Sequence, residues 1–219
     1  VTGVTNYNIW TYDAKPSTGK QLYQNGNLLQ TRPNTSTYHS HATQRFRIGR
    51  NYKGDVTEVI VFRKKVNTTQ RYIIDNYLST KYDISLNQHD LYAHDNGNGI
   101  FDYDMAGIGR VSSSDAHTDA QGTGIVRILN AQDLDDNEFL LWAHENSSSD
   151  ITSTQDIPSG IDYRMERIWK VSEVDDNGNA VDVGDIDMVF DLSGLGSIDT
   201  SELRLLIDTD MDGNFDDET

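Results

Sequence analysis

The chain has 219 residues, a mass of 24.6 kDa and a formal net charge of −17. It lacks cysteine, which excludes disulfides, thiolate metal sites and cysteine nucleophiles. No apolar run approaches the roughly 20 residues of a membrane-spanning helix.

The charge is unevenly divided along the chain. Residues 1–85 hold 12 Lys and Arg against 5 Asp and Glu, whereas residues 86–219 hold 6 against 30. This change of sign predicts two domains. The acidic half would repel the backbones of nucleic acids, so a nucleic-acid partner is not expected.

The first half of the chain predicts short strands. The alternation and the β-branched or aromatic content of four segments favour strands; these are residues 4–12, 20–30, 45–49 and 54–62. Asn25-Gly26 divides the second of these segments into two apolar runs. A type I′ turn needs positive φ at both central residues, so this pair predicts a β-hairpin.

One helix is predicted at residues 67–81. Asn67 and Gln70 are spaced as in a capping box, in which each side chain accepts a bond from the backbone of the other. Apolar and aromatic residues then recur with helical spacing. The prediction ends the helix before Asp83.

The second half alternates between short apolar runs and turns rich in Asp, Asn, Gly and Ser. Strands are predicted at residues 105–111, 123–129, 138–144, 164–173, 184–192 and 202–208. Asp176-Asn177-Gly178 is a further hairpin signal. The predicted fold class is therefore all-β: an antiparallel jelly roll or β-sandwich with one short helix, followed by a second β-sandwich.

The first part of the chain carries four segments in a recognisable order: IWTYDA, GKQLYQNGNLL, FRIGR and YKGDVTEVIVFRKKVNTTQRYIIDNYLSTKYDISL. In this order they resemble the C-terminal half of a LamG-like, concanavalin A-like jelly roll, over about residues 4–86. The N-terminal half of that jelly roll has no counterpart here. We expect either an excerpt of a longer protein or missing strands supplied by a neighbouring chain.

The second part carries the segments DMAGIGR, FLLWAHENS, RMERIWKV and LRLLIDTDMDG. They resemble a β domain that follows LamG-like domains in very large secreted surface proteins of bacteria, notably Bacteroidota and marine species. The resemblance implies an extracellular location at the bacterial cell surface and a role in adhesion. The predicted domains are a partial LamG-like jelly roll at 1–86 and an acidic β-sandwich at 87–219, ending in a calcium-type loop.

The acidic loop at the end of the chain is the strongest site signal. Carboxylates at positions 1, 3 and 5 of a tight loop can converge on one calcium ion, and glycine at position 6 allows the sharp turn. The predicted ligands are Asp208, Asp210, Asp212, Asn214, Asp216 and Glu218. Thr219 stands where an EF-hand has a bidentate glutamate, so Glu218 would serve only with a shift of register. The alternative is a solvated acidic tail.

Weaker acidic clusters lie at 95–104, 133–138 and 175–177, where turns are the alternative to calcium sites. The loop residues His39 and His41 are spaced for a transition metal, with exposed loop imidazoles as the favoured alternative. No HExxH, GxSxG, GxGxxG or P-loop motif occurs. The sequence therefore predicts that the chain is not an enzyme.

The expected ligand is a glycan or a surface protein. Four aromatic residues of the first half are candidates for stacking on sugar rings, with core packing as the alternative; these are Trp10, Tyr12, Tyr23 and Tyr38. The predicted function is non-catalytic adhesion or binding, with calcium stabilising the chain. One alternative is a structural subunit of an extracellular fibre that self-associates through sheet edges, and a distant one is a polysaccharide hydrolase.

Overall fold

The computed structural model describes residues 7–15, 19–33, 52–95, 101–122, 125–145 and 148–218. Within these ranges the protein is mostly β, with antiparallel sheets and one α-helix, which confirms the predicted fold class. The elements in chain order are β1 (Trp10–Lys15), β2 (Gly19–Gln24), β3 (Asn27–Arg32), α1 (Thr68–Tyr82), β4 (Tyr103–Ser112), β5 (Asp115–His117), β6 (Asp119–Gln121), β7 (Val126–Leu129), β8 (Glu138–His144), β9 (Trp169–Asp175) and β10 (Asp187–Phe190).

The first sheet is an antiparallel meander in the order β1-β2-β3. Asn25 and Gly26 join β2 to β3 with φ values of 47° and 79°. These are the positive values that a type I′ turn requires, and they confirm the predicted hairpin.

A four-stranded sheet in the order β5-β4-β8-β9 forms the centre of the protein. Its middle strand β8 is buried on both faces, because the residues from Phe139 to His144 are all buried. A strand that is covered on both sides needs a continuous apolar run rather than an alternating one. This explains the FLLWA sequence of β8.

The two faces of the central sheet pack against different partners. On one face, Phe139 and Leu141 of β8 pack with Met105 of β4 and Ile73 of α1. On the other face, the core cluster joins β4 and β8 to the second three-stranded sheet, whose order is β10-β7-β6; its buried members include Ile108, Val126, Ile128, Leu140 and Trp142. The second half is therefore a β-sandwich with a helix on its outer face.

Helix α1 lies between the first sheet and the central sheet. Its capping box is formed as predicted, because the Asn67 side chain accepts from Gln70 N and the Gln70 side chain accepts from Asn67 N. Its left-handed C-cap residue is Asp83, with φ 51°. No helix in the described part of the chain is long and apolar enough to cross a membrane.

The N-terminus of α1 is held by an aspartate of β5. Asp115 accepts hydrogen bonds from Thr68 N at 3.0 Å and Thr69 N at 2.9 Å. The fully buried Thr69 hydroxyl donates to the Asp115 carbonyl oxygen at 2.7 Å and accepts from Val111 N at 3.1 Å. This contact fixes the helix to the β4–β5 turn with a negative charge at its positive end.

Asp115→Asn is expected to lower the free energy of unfolding at pH 7 by about 1 kcal/mol, as for loss of a helix cap. Burial raises the pKa of Asp115, but hydrogen bonds from Thr69 and Thr68 outweigh it and bring the pKa below its ordinary 3.8. A lowered pKa stabilises the fold above pH 3.8, and this contribution is lost as the pH falls through the folded pKa. Urea unfolding should therefore show that the difference in free energy of unfolding between the native protein and Asp115→Asn becomes smaller below about pH 4. A difference in free energy of unfolding that is constant between pH 3 and pH 7 would contradict stabilisation by the ionised Asp115 carboxylate.

Two predicted strands are wrong. Residues 54–62 and 202–208 form no strand and pair with no other segment among the described residues. Their apolar side chains are exposed, with Val61 at 65% and Ile207 at 59%. A strand needs a neighbour for its backbone hydrogen bonds, and the described chain places none beside either segment.

Other strands form with shifted ends. The segment predicted at 164–173 becomes β9, which begins at Trp169, and the one predicted at 184–192 becomes β10 at Asp187–Phe190. The hairpin at 176–178 forms, with an antiparallel bridge between Val174 and Ala180, and the later strand β10 pairs with β7. The strand predicted at 45–49 lies outside the described residues.

Candidate functional site

The acidic loop follows the exposed segment that ends at Ile207. Carboxylate oxygens of Asp208, Asp210 and Asp212 lie within 4.8 Å of one another, the one such group of acidic or imidazole ligands found in the part of the chain that is described. The clusters at 133–138 and 175–177 bring no such group together there. Of the cluster at 95–104, residues 96–100 lie outside the described residues, as do His39 and His41.

The loop is wound around the Asp208 carboxylate. Asp208 Oδ1 accepts from Met211 N at 2.6 Å, and Oδ2 accepts from Gly213 N at 3.0 Å. Met211 and Gly213 take the left-handed φ values of 63° and 90°. Because glycine adopts such values without steric cost, Gly213 permits the turn that the sequence predicted at position 6.

The remaining predicted ligands lie around this group. Asn214 donates from its backbone N to Asp212 Oδ1 at 2.8 Å. Glu218 reaches back to the start of the loop, where Oε1 accepts from Thr209 N at 2.8 Å and Oε2 from the Thr209 hydroxyl at 2.9 Å. Asp216 is exposed. Thr209 therefore occupies both oxygens of Glu218, and the converging carboxylates are those of Asp208, Asp210 and Asp212.

An anchor from outside the loop holds its second half. Asp156 Oδ1 accepts from Phe215 N at 2.6 Å and Asp216 N at 3.1 Å. Phe215 is buried, and the Arg164 guanidinium lies 5.6 Å from its ring centroid. Sequence reasoning missed Asp156 and Arg164 as contacts of the loop, because both lie about fifty residues before it.

The electrostatics of the loop favour a cation. Desolvation, followed by the negative charges of Asp212, Asp210 and Asp216, raises the pKa of Asp217. Clustered carboxylates repel one another, and a divalent cation with oxygen ligands removes that repulsion. These oxygens are the hard donors that calcium prefers, and the exposed side of the loop leaves room for water to complete the coordination.

The predicted aromatic residues occupy different environments. Trp10 and Tyr12 lie on the same face of β1, at the edge of the first sheet, and are 58% and 63% exposed. Tyr23 is buried, with the Arg71 guanidinium 4.2 Å from its ring centroid. Tyr38 lies outside the described residues. Trp10 and Tyr12 are therefore exposed on β1, whereas Tyr23 takes part in packing.

A buried polar network joins the first sheet to α1. Arg71 Nη1 lies 3.0 Å from Asp75 Oδ2, and both residues are buried. The Thr11 hydroxyl of β1 donates to Asp75 Oδ1 at 3.2 Å. Burial raises the pKa of Asp75, and the positive charge of Arg71 opposes that shift. This network fixes the position of the exposed face of β1 relative to the rest of the protein.

Comparison with known protein families gives a match over residues 70–219 of this chain. This region includes the central sheet, its sandwich partner and the acidic loop. The chain belongs to the family described as "Domain of unknown function (DUF8202)". The match begins inside α1, so most of this helix belongs to the DUF8202 region together with the sandwich that it covers. No curated protein and no solved structure matches the chain significantly.

Proposed function

We propose that this chain is a non-catalytic segment of an extracellular bacterial surface protein that serves adhesion and is stabilised by calcium at residues 208–218. The observation that supports calcium is the convergence of the Asp208, Asp210 and Asp212 carboxylates in a tight loop wound around Asp208. The LamG-like resemblance of residues 4–86 supports the extracellular setting. The exposed Trp10 and Tyr12 on β1 support a glycan or a surface protein as the partner.

Calcium is expected to raise the melting temperature of the chain. Extracellular modules bind calcium with Kd of about 10⁻⁴–10⁻³ M, so 10 mM calcium would stabilise by about 1.4–2.7 kcal/mol. For a chain of this size that corresponds to about 3–10 °C. Differential scanning fluorimetry in calcium and in EGTA measures the shift, and Asp210→Ala with Asp212→Ala should abolish it.

The matched control is Asp162→Ala with Asp185→Ala, which removes two exposed carboxylates outside the loop. This variant should keep the whole calcium shift, because the loop ligands are unchanged. A calcium shift that survives in the loop variant would refute calcium binding at residues 208–218. An equal loss in both variants would assign the effect to general charge screening instead.

The second candidate is a subunit of an extracellular fibre. Two ion pairs contact the segment 56–62 and the residues that follow it: Glu58 pairs with Lys81 at 2.9 Å, and Lys65 pairs with Asp13 at 2.5 Å. Its apolar side chains are nevertheless exposed, with Phe62 at 52% and Ile60 at 40%. An exposed apolar segment that has no strand partner among the described residues favours strand addition from another chain.

Light scattering on the same calcium and EGTA samples separates the two candidates. A monomer in calcium supports the binding segment. Assemblies that grow with concentration and are dissolved by Val59→Lys with Val61→Lys support the fibre subunit, because charges on an unpaired segment block edge-to-edge pairing.

A further inference from the structure

Two exposed segments have strand composition but no strand partner in the described part of the chain: residues 56–62 and 203–207. The backbone runs through both segments without a helix, a turn or a bend. Among the described residues, no backbone–backbone hydrogen bond joins either segment to another part of the chain. Both segments therefore keep backbone groups that a neighbouring strand would satisfy.

Each segment also presents apolar side chains to solvent. Val61 and Phe62 are exposed in the first segment. Leu203, Leu205 and Ile207 are exposed in the second, and they alternate along the chain. An extended backbone places alternating side chains on one face. Pairing the two segments would therefore remove apolar surface from water on both sides of the contact.

The charges beside the two segments are opposite. Residues 52–65 hold four Lys and Arg against two Asp and Glu, whereas residues 199–212 hold one against five. The Asp208 and Asp210 carboxylates accept from backbone N–H groups, which carry no net charge, so these hydrogen bonds do not neutralise them. Acidic residues stand at both ends of the second segment, and either strand direction therefore brings carboxylates close to the exposed Arg63 and its neighbours.

We propose that residues 56–62 of one copy of this chain pair with residues 203–207 of the next copy as neighbouring strands. The acidic flanks of two 203–207 segments would repel each other, which favours the unlike pair. A contact between two different surfaces of identical chains joins copies head to tail, into an open fibre or a closed ring. This inference rests on the fibre-subunit candidate of the proposed function and names the segment that completes its strand pairing.

Two blocked variants test the pairing by complementation. The first is Val59→Lys with Val61→Lys, and the second is Leu205→Lys with Ile207→Lys. Sedimentation velocity should show that the wild-type chain associates as its concentration rises, and that each variant alone stays monomeric. An equimolar mixture should form a heterodimer and nothing larger, because it contains one intact 56–62 segment and one intact 203–207 segment.

Charge reversal tests the electrostatic part of the pairing. Arg63→Glu with Lys64→Glu leaves both apolar segments intact and should weaken wild-type association about tenfold, as for loss of charge complementarity at an interface. The matched control is Leu29→Lys with Tyr163→Lys, which replaces two exposed apolar residues outside both segments. It should associate as the wild type does. Threonine at the same four strand positions replaces lysine if a blocked variant does not fold.

Three outcomes overturn the pairing. Wild-type assembly that the 56–62 variant dissolves and the 203–207 variant does not would refute this inference and retain the fibre candidate. A mixture of the two variants that stays monomeric would show that the segments do not pair with each other between copies. A wild-type chain that is monomeric at every concentration would refute both the inference and the fibre candidate, whereas the calcium measurement tests the adhesive function separately.

Discussion

Asp75→Ala is expected to destabilise the protein by about 3–5 kcal/mol, as for other buried pairs that lose one partner. Asp75 is 2% exposed, and its partner Arg71 is 8% exposed. Removing the carboxylate leaves the guanidinium buried without a counter-charge, between the rings of Tyr23 and Tyr72. Urea unfolding at pH 7 measures the loss.

Two further variants test whether Asp75→Ala destabilises the protein because it leaves a buried charge or because it removes a contact. Arg71→Met with Asp75→Leu should recover most of the stability, because no charge remains in the interior. Asp119→Ala removes the carboxylate of an exposed pair with Arg127, whose side chains are 48% and 41% exposed. This exposed variant should be much less destabilised than Asp75→Ala, because solvent screens the pair. A similarly small cost for Asp75→Ala would mean that water reaches Arg71 and that the network does not hold the first sheet.

Gly109→Ala is expected to destabilise the protein by about 1–3 kcal/mol through overpacking. A Cβ at Gly109 would lie 2.8 Å from Phe139 Cε1 and 3.0 Å from Phe139 Cγ. Gly109 pairs with Phe139 across the β4–β8 register, and the Phe139 ring is 0% exposed. The ring has no space to move into, because it packs on α1 in a closely packed core. Urea unfolding measures this loss as well.

A double-mutant cycle tests whether the Phe139 ring causes the destabilisation by Gly109→Ala. In a Phe139→Leu background, Gly109→Ala should cost less than about 1 kcal/mol, because the smaller side chain leaves room for the methyl group. Gly194→Ala is the matched control, since a Cβ there meets nothing within 4 Å. Its cost should stay within about 0.5 kcal/mol. An equal cost of Gly109→Ala in both backgrounds would show that backbone conformation, rather than the Phe139 ring, requires glycine.

Local signals predicted the elements whose geometry depends on near neighbours in the chain. The Asn25-Gly26 turn and the capping box of Asn67 with Gln70 need only a few adjacent residues, and both form as predicted. The apolar run at 138–144 gave the ends of β8 without error. The spacing of Asp208, Asp210 and Asp212 likewise predicted a convergent loop, since consecutive turns draw these side chains together.

The sequence could not predict contacts between distant segments. Nothing local marks Asp115 as the acceptor for the first backbone N–H groups of a helix that begins 47 residues earlier, or Asp156 as the anchor of the loop at 208–218.

The sequence by itself therefore determined the fold class, the main turn, the helix and the acidic loop, because each depends on propensity or spacing within about ten residues. Only the tertiary structure decided which strands have partners. Residues 54–62 and 202–208 have strand composition but find no strand partner in the described part of the chain, whereas β10, with only four residues, pairs with β7. Strand propensity describes a side chain that suits a sheet surface, but a strand forms only where another backbone satisfies its hydrogen bonds.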